Sequence, residues 1–452
     1  MNTLTRRGFL SSSGHAMLAD AAAACWADTS AASPAAPAVL QGLEVPRFDP
    51  AVARDENFWL LLRQEFNLRD RMIWMNNGTF GPPSRNVTEL HDRVMHEQAA
   101  DPTDNYRFAA RDRVRAQAAR FINATSDEVA LTRSTTEGVS TFASGLDWRR
   151  GDEVVMTTHE HMGGFGPFRT LEERHGIRIR WIELPLPPVS GDQIVDLYRR
   201  AINRRTRLLF ASHVVYVNGL RMPVQQIAEM AHERGLLCSV DGAHALGMIP
   251  VDVTALRCDH YAASGHKWLM AGAGTGLFFL RRSLIPAVWP LTGWPEPGTS
   301  QVDTARKYEV CGQRHVASAI SMSAAFSLQD AVGTQTIEAR VMELSAQLRH
   351  GLASIPGVRL YSPLERELGS GLTTFAVEGL SGENLAALLM IRHNIRCLRL
   401  PDDEPPTVNW HAIRLTTHIY NMPGDVELVL STVREGAANP GQYTALKRPS
   451  IT

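Results

Sequence analysis

From about residue 110 to residue 282 the chain alternates short apolar runs with amphipathic stretches, and no other feature restricts the fold as much. Apolar runs at this spacing are strands buried on both faces, and the amphipathic stretches are the crossover helices that cover them. The candidate strands are Glu128–Thr132, Glu153–Thr157, Ile179–Leu184, Leu208–His213, Leu236–Asp241, His260–Ala263 and Gly276–Leu280. Between them, Val139–Leu146 sets Val139, Phe142, Ala143 and Leu146 on one helical face, and Val224–Arg234 ends at Gly235 as a C-cap. The expectation is an α/β large domain over residues 84–312, built on a mostly parallel seven-stranded sheet. After the turn-rich Pro286–Pro297, one long helical segment is expected over Ala317–Ile355. A strand at Thr373–Val377, a helix at Gly382–His393, a strand at Ala412–Thr416 and a helix at Met422–Gly436 should follow. These read as a smaller α+β domain over 313–436, joined by a leading segment, 45–83, with 437–452 as a tail. A chain of 452 residues is too long for a single core, which agrees with two lobes.

Composition removes several function classes. Lys plus Arg is 46 against 47 Asp plus Glu, so no general basic footprint for nucleic acid exists. No run approaches the roughly 20 apolar residues of a spanning helix. The five cysteines (Cys25, Cys238, Cys258, Cys311, Cys397) show no C-x-x-C spacing and no even disulfide framework. More informative is that Lys267, Lys307 and Lys447 are the only lysines; every other basic residue is Arg. Guanidinium stays protonated, whereas an amine can lose its proton and attack a carbonyl. A lysine kept in apolar, Gly-rich company therefore suggests chemistry that Arg cannot perform.

Lys267 is in such company. It lies in Ala262-Ala263-Ser264-Gly265-His266-Lys267-Trp268, just after a strand and before the glycine-rich Ala271–Gly276. No Gly-Lys-Ser/Thr follows those glycines, so the loop is not a Walker loop. Twenty-six residues upstream, Asp241 opens Asp241-Gly242-Ala243-His244 at the carboxyl end of an apolar strand, where open α/β sheets place ligand-binding groups. A carboxylate there suits a protonated pyridine nitrogen; taken alone it reads first as a helix cap or turn residue, and the lysine that follows in this context turns the reading toward the ligand. Thr132–Gly138 turns from strand to helix, and the hydroxyls and free N–H groups of Thr135 and Thr136 make either a dianion site or an ordinary N-cap. His159 and His161 follow another strand. With no third ligand cluster and no H-E-x-x-H spacing, a metal site is not expected; a ring stacked on a flat cofactor and an exposed loop histidine remain the two readings.

Taken together and in this order, these motifs resemble the class V aminotransferase family of fold-type I pyridoxal-phosphate (PLP) enzymes, over roughly residues 74 to 436. The resemblance implies that Lys267 carries the cofactor as a Schiff base and Asp241 pairs with the pyridine nitrogen. It further implies that His161 stacks on the ring and that Thr135, Thr136, Ser264 and His266 hold the phosphate. His244 falls near the cofactor's phenolic oxygen. Like the segment Trp74–Pro82 with Asn77 at its centre, it looks like the isopenicillin N epimerase branch, where Asn77 would border the substrate. Gln313, in Tyr308–Arg314, matches a segment that reaches the partner subunit's phosphate, so a homodimer is implied. Many relatives carry Gly-Thr where this chain has Gly312-Gln313, which puts the hydroxyl contact in doubt. Arg414 aligns with the substrate-carboxylate arginine, although among 43 arginines a surface role is the plain alternative. Leu400–Trp410 contains no cysteine, which argues against a desulfurase.

The implied function is PLP-dependent chemistry at the amino group or Cα of an amino acid or related small-molecule amine. Transamination, epimerisation, elimination and oxidative decarboxylation all remain open. Thr5-Arg6-Arg7-Gly8-Phe9-Leu10 and the Ala-rich tract to about residue 40 resemble a twin-arginine export leader. A periplasmic location and the twin-arginine machinery as partner are therefore expected, and no nucleic-acid partner. Leader and fold together also resemble periplasmic PLP enzymes that modify the N-terminal glutamate of pyoverdine-type siderophores. A non-catalytic PLP-fold binding protein is the alternative from another class, and the retention of Lys267, Asp241 and Thr135-Thr136 together speaks against it.

Overall fold

A computed structural model describes residues 52–104, 106–186, 190–295, 301–400 and 410–448. The leader motif with Arg6 and Arg7 lies outside the described residues, as does 401–409 of the loop before Arg414.

The strands, in chain order, are β1 (Ile73–Trp74), β2 (Val129–Thr132), β3 (Glu153–Thr157), β4 (Arg178–Ile182), β5 (Thr206–Ser212), β6 (Leu237–Asp241) and β7 (His260–Ser264). They continue with β8 (Gly276–Leu280), β9 (Val358–Leu360), β10 (Leu372–Val377), β11 (Ile395–Arg396), β12 (Leu398–Arg399) and β13 (Ile413–Thr416). Seven of them form one sheet in the order β2-β8-β7-β6-β5-β3-β4. The run from β7 to β4 is parallel throughout, and only β8 runs against its two neighbours. Strands β2, β3, β7 and β8 are buried along their whole length, as a sheet covered on both faces requires. The edge strand β4 instead alternates, with Arg178 and Arg180 turned outward, and those charges discourage further pairing.

Chain order reverses beside β3, which has β4 on one side and β5 on the other. Such a switch point opens a crevice outside the carboxyl ends of the strands. The ends of β3, β5, β6 and β7 carry Thr158–His161, His213–Tyr216, Asp241–His244 and Ser264–Lys267 respectively, so the topology gathers the candidate motifs at one edge of the sheet.

A second, four-stranded antiparallel sheet runs β12-β13-β10-β9. Its core joins Phe375, Ile413 and Leu415 to Leu344, Leu348, Leu385, Leu389, Val426 and Val429 of the helices Thr334–Ala353, Gly382–His393 and Pro423–Ala438. The segment after β1 links this sheet to the lysine loop. Thr416 N–H bonds the Met75 carbonyl at 2.8 Å, Asn77 N–H bonds Thr416 Oγ1 at 2.7 Å, and Gly81 N–H bonds the His266 carbonyl at 2.8 Å. A Cβ at Gly81 would stand 2.0 Å from the Lys267 carbonyl oxygen, so only glycine passes there.

One expectation is corrected. The segment Ala317–Ile355 is not a single helix but two, Val316–Val332 and Thr334–Ala353, because Gly333 adopts φ +87° and turns the chain. The helix expected at Val139–Leu146 begins earlier, at Thr135, with Ser134 as N-cap accepting from the Glu137 N–H. The short strands β1 and β11 pair with each other in parallel, a contact that no local pattern announces.

Candidate functional site

The β7–β8 loop positions the lysine. Gly265 N–H bonds the Thr275 carbonyl at 2.8 Å and Ala271 N–H bonds the Gly265 carbonyl at 2.9 Å, which folds the segment back on itself. Lys267 Nζ then lies 3.2 Å from His244 Nε2. Surrounding protein lowers its pKa to about 8, and the Arg414 guanidinium adds to that against the pull of Asp241. A half-buried amine in this range has an accessible neutral form near neutral pH.

Asp241 ends β6, buried. Its Oδ1 accepts the Ala243 N–H at 2.8 Å, and among the described residues Oδ2 accepts no hydrogen bond. Burial raises its pKa, with the Ala243 bond and the Lys267 charge working the other way. A Cβ on Gly164 would come within 3.1 Å of Oδ2, so that glycine keeps the approach to the carboxylate open. His161 caps the helix Met162–His175 and accepts the Gly163 N–H on Nδ1 at 3.0 Å. Its ring presents accessible area, yet surrounding protein first, then the Lys267 and Arg414 charges, lower its pKa to about 4 and keep it neutral.

The helix Thr135–Gly145 points its N-terminus at the same region. Thr135 N–H and Oγ1 reach Ser264 Oγ at 2.9 and 2.8 Å, which ties the helix start to the end of β7. Exposed Thr136 makes no hydrogen bond with N–H or hydroxyl among the described residues, and a Cβ on Gly163 would lie 2.4 Å from its Oγ1. His266 stacks on Phe80 (6.1 Å between centroids, 16° between planes), and its buried Nδ1 has no partner among the described residues. These donors suit an oxyanion dianion at a helix N-terminus.

Arg414, on β13, is buried. Nη1 donates to the Tyr216 carbonyl at 2.8 Å, Nη2 reaches Asn76 Oδ1 and Thr79 Oγ1 at 3.4 Å each, and Nε has no partner among the described residues. Burial lowers its pKa to about 10, which still leaves a full positive charge. A Cβ on Gly78 would stand 2.8 Å from Nη2 and 3.1 Å from His244 Cε1, so Arg414 and His244 share one wall. Asn77 lies against the same loop: its Oδ1 accepts from the Tyr420 hydroxyl and its Nδ2 reaches the Lys267 carbonyl at 3.3 Å. The buried side chain thereby tethers the lysine loop.

The fold therefore brings Lys267, Asp241, His244, His161, Thr135, Thr136, Ser264, His266, Asn77 and Arg414 to one crevice. Exposed Gln313 makes no hydrogen bond there among the described residues. Sequence reading missed Tyr216, whose ring meets the edge of His161 at 4.9 Å and 85° and whose carbonyl holds Arg414. Its position just past the carboxyl end of β5 was the available signal.

Comparison with known proteins follows the same lines. The family model described as aminotransferase class-V matches residues 87–427. An isopenicillin N epimerase from Amycolatopsis lactamdurans is 29% identical over 403 residues, covering 83% of this chain and 98% of that protein. The enzyme of the same name from Streptomyces clavuligerus is 30% identical over 336 residues, 70% and 84% of the two chains. A cysteine desulfurase from Dickeya dadantii is 30% identical over 342 residues, 68% and 81%. Among solved structures, the apo cysteine desulfurase of Thermococcus onnurineus superposes with a TM-score of 0.73 at 24% identity, over 83% of this chain and 97% of that one. A C-DES variant with glycine covalently linked to its PLP cofactor gives 0.74 at 20% identity, over 82% and 99%.

Proposed function

The chain belongs to the aminotransferase class-V family, and from that premise we propose that it acts at the amino group and Cα of an amino acid, or of an amine derived from one, with Lys267 as the reacting amine. Its architecture is that of fold-type I and its cofactor is pyridoxal phosphate. The residues present fit that group: among the described residues a helix N-terminus keeps the Thr136 N–H and hydroxyl unused for a phosphate, the buried His266 Nδ1 has no partner, and Asp241 Oδ2 is open for a ring N–H. When bound, pyridoxal phosphate supplies an aldehyde that captures primary amines and a ring that takes up the electron pair released at Cα. The observation that carries the reading is the Lys267 amine, held at 3.2 Å from His244 at the strand ends that also carry Asp241, with a neutral form made accessible by a pKa lowered to about 8.

The chain's own groups then have distinct tasks. Asp241 is placed to hold a proton on a ring nitrogen, and His161 to offer a flat face to that ring. Arg414 is placed to clamp a substrate carboxylate, with Gly78 leaving it room. Lys267 is the base on hand to move a proton at Cα. An epimerase-type reaction is favoured over sulfur removal: residues 400–410 lack a cysteine, and burial pushes the Cys397 thiol up to about 12.

The test is borohydride reduction of the purified holoprotein followed by peptide mass spectrometry. A reduced cofactor adduct is expected on Lys267, and none in Lys267→Ala or Lys267→Arg, since guanidinium cannot form the imine. An adduct surviving in Lys267→Ala would overturn the site. Incubation with candidate amino acids then sorts the reaction: a keto product marks transamination, an inverted centre of unchanged mass marks epimerisation.

A further inference from the structure

The geometry points to Trp268 as a positioning residue for the Lys267 amine: by donating its indole N–H to His244 Nδ1, it fixes the imidazole proton on Nε2 and makes Lys267 Nζ the acceptor of that proton. The inference rests on Lys267 being the reacting amine and adds what orients its lone pair.

The argument is one of donor and acceptor capacity. Trp268 Nε1 lies 3.1 Å from His244 Nδ1, and an indole N–H can only donate, so Nδ1 must be the bare nitrogen. A neutral imidazole then carries its one proton on Nε2, which faces Lys267 Nζ at 3.2 Å. An ammonium has no lone pair, so it would set three donors against the Nε2–H. Only the neutral amine completes the chain Trp268 → His244 → Lys267 with every proton used once. A cationic imidazole is disfavoured as well, since burial and the neighbouring Lys267, Arg414, His161 and His266 all oppose a charge on His244. The one opposing influence on the amine is Asp241, the carboxylate facing it from the end of β6.

Trp268 is itself held firmly enough to impose this choice. Its ring is fully buried and stacks on His418 at 5.3 Å and 30°. On another side, a Cβ at Gly371 would fall 2.8 Å from two ring carbons, so the indole fills the space that this glycine leaves. Its backbone is fixed too. His418 Nδ1 accepts the Ile419 N–H at 2.7 Å, which leaves His418 Nε2–H to donate to the Trp268 carbonyl at 3.0 Å. Without the indole N–H, His244 is free to place its proton on Nδ1 and to turn a bare Nε2 toward Lys267. That arrangement accepts from an ammonium and therefore favours the charged lysine, the form that cannot attack a carbonyl.

The experiment uses the full-length chain freed of bound aldehyde with hydroxylamine. In 15N spectra of histidine-labelled protein, with His244 assigned by its loss in His244→Asn, the wild type should show the Nε2–H tautomer. Finding the Nδ1–H tautomer in the wild type would overturn the proposal without any Trp268 variant. In Trp268→Phe the His244 signals should move to the Nδ1–H form. Acetic anhydride modification, read by peptide mass spectrometry against pH, supplies the second readout, with buried Lys307 as the internal control of folding and exposed Lys447 as that of the reagent. The Lys267 midpoint should rise by about one unit in Trp268→Phe, which is about tenfold slower modification at neutral pH. An unchanged midpoint and tautomer in a variant whose control lysines behave as in the wild type would sink the inference. Both results are independent of whether the holoprotein yields the reduced Lys267 adduct, so the failure of the functional reading is seen separately.

Discussion

At the scale of single residues the site is a set of groups whose ionisation the fold has moved, and Glu160 is the one that carries the clearest pH signature. It lies between β3 and β5, with Oε1 accepting from the Thr157 hydroxyl at 2.8 Å and Oε2 from the Ser212 hydroxyl. Burial, the largest cause, raises its pKa to about 7, and the nearby Asp241 charge adds to it, while the two hydroxyls pull it down. A carboxyl whose folded-state pKa is raised stabilises the fold fully below its ordinary value and loses that contribution as pH climbs through about 7. Glu160→Gln keeps the shape and the hydroxyl partners but does not titrate. We expect the wild type to lose on the order of 1–3 kcal/mol of stability between about pH 5 and pH 8 from this group, and Glu160→Gln to lose less. Urea unfolding at the two pH values checks it; parallel pH slopes in the two proteins would show that Glu160 does not titrate there. At this scale the sequence was legible where residue type was decisive. A scarce lysine after a strand and an aspartate at a strand end are unusual enough to stand out, whereas Tyr216 and Trp268 are ordinary apolar residues until their neighbours are known.

At the scale of elements, glycines decide where regular structure stops. Apolar spacing runs on through residue 333, so the pattern alone suggests an unbroken helix, yet φ +87° at Gly333 separates two. A Cβ there would meet only Thr336 Oγ1, at 3.5 Å, so no steric clash enforces the glycine. The cost of Gly333→Ala is therefore one of backbone conformation, about 1–3 kcal/mol. We expect an unfolding free energy from urea titration lowered by that amount with cofactor absorbance unaltered, since the corner is formed by helices and not by the crevice. A variant as stable as the wild type would mean that the corner relaxes into continuous helix. The glycines at 163 and 164 act differently: side chains there would press on Thr136, His161 and Asp241, so they serve the site and not the helix.

At the scale of the whole molecule, the proposed assembly is a symmetric dimer in which exposed Gln313 reaches the partner's phosphate-binding helix end. A carboxamide N–H can donate to an oxyanion as a threonine hydroxyl does, so Gly312-Gln313 is chemically able to make the contact that the proposed dimer requires. Sedimentation should give the mass of two chains, and Gln313→Ala should weaken cofactor binding without changing that mass. A fully active monomer would end the reading. The sequence by itself determined what depends on local order: the seven strands of the main sheet and the lysine, aspartate and threonine motifs, because burial on two faces and strand-end position leave periodic and compositional marks. Only the tertiary structure decided what depends on contacts between distant segments. The parallel pairing of β1 with β11, the tethering of Asn77 to the lysine loop, and the Trp268–His244–Lys267 chain join residues up to several hundred positions apart. Their protons and lone pairs are assigned by who faces whom, and a linear sequence does not encode that until the chain has closed on itself.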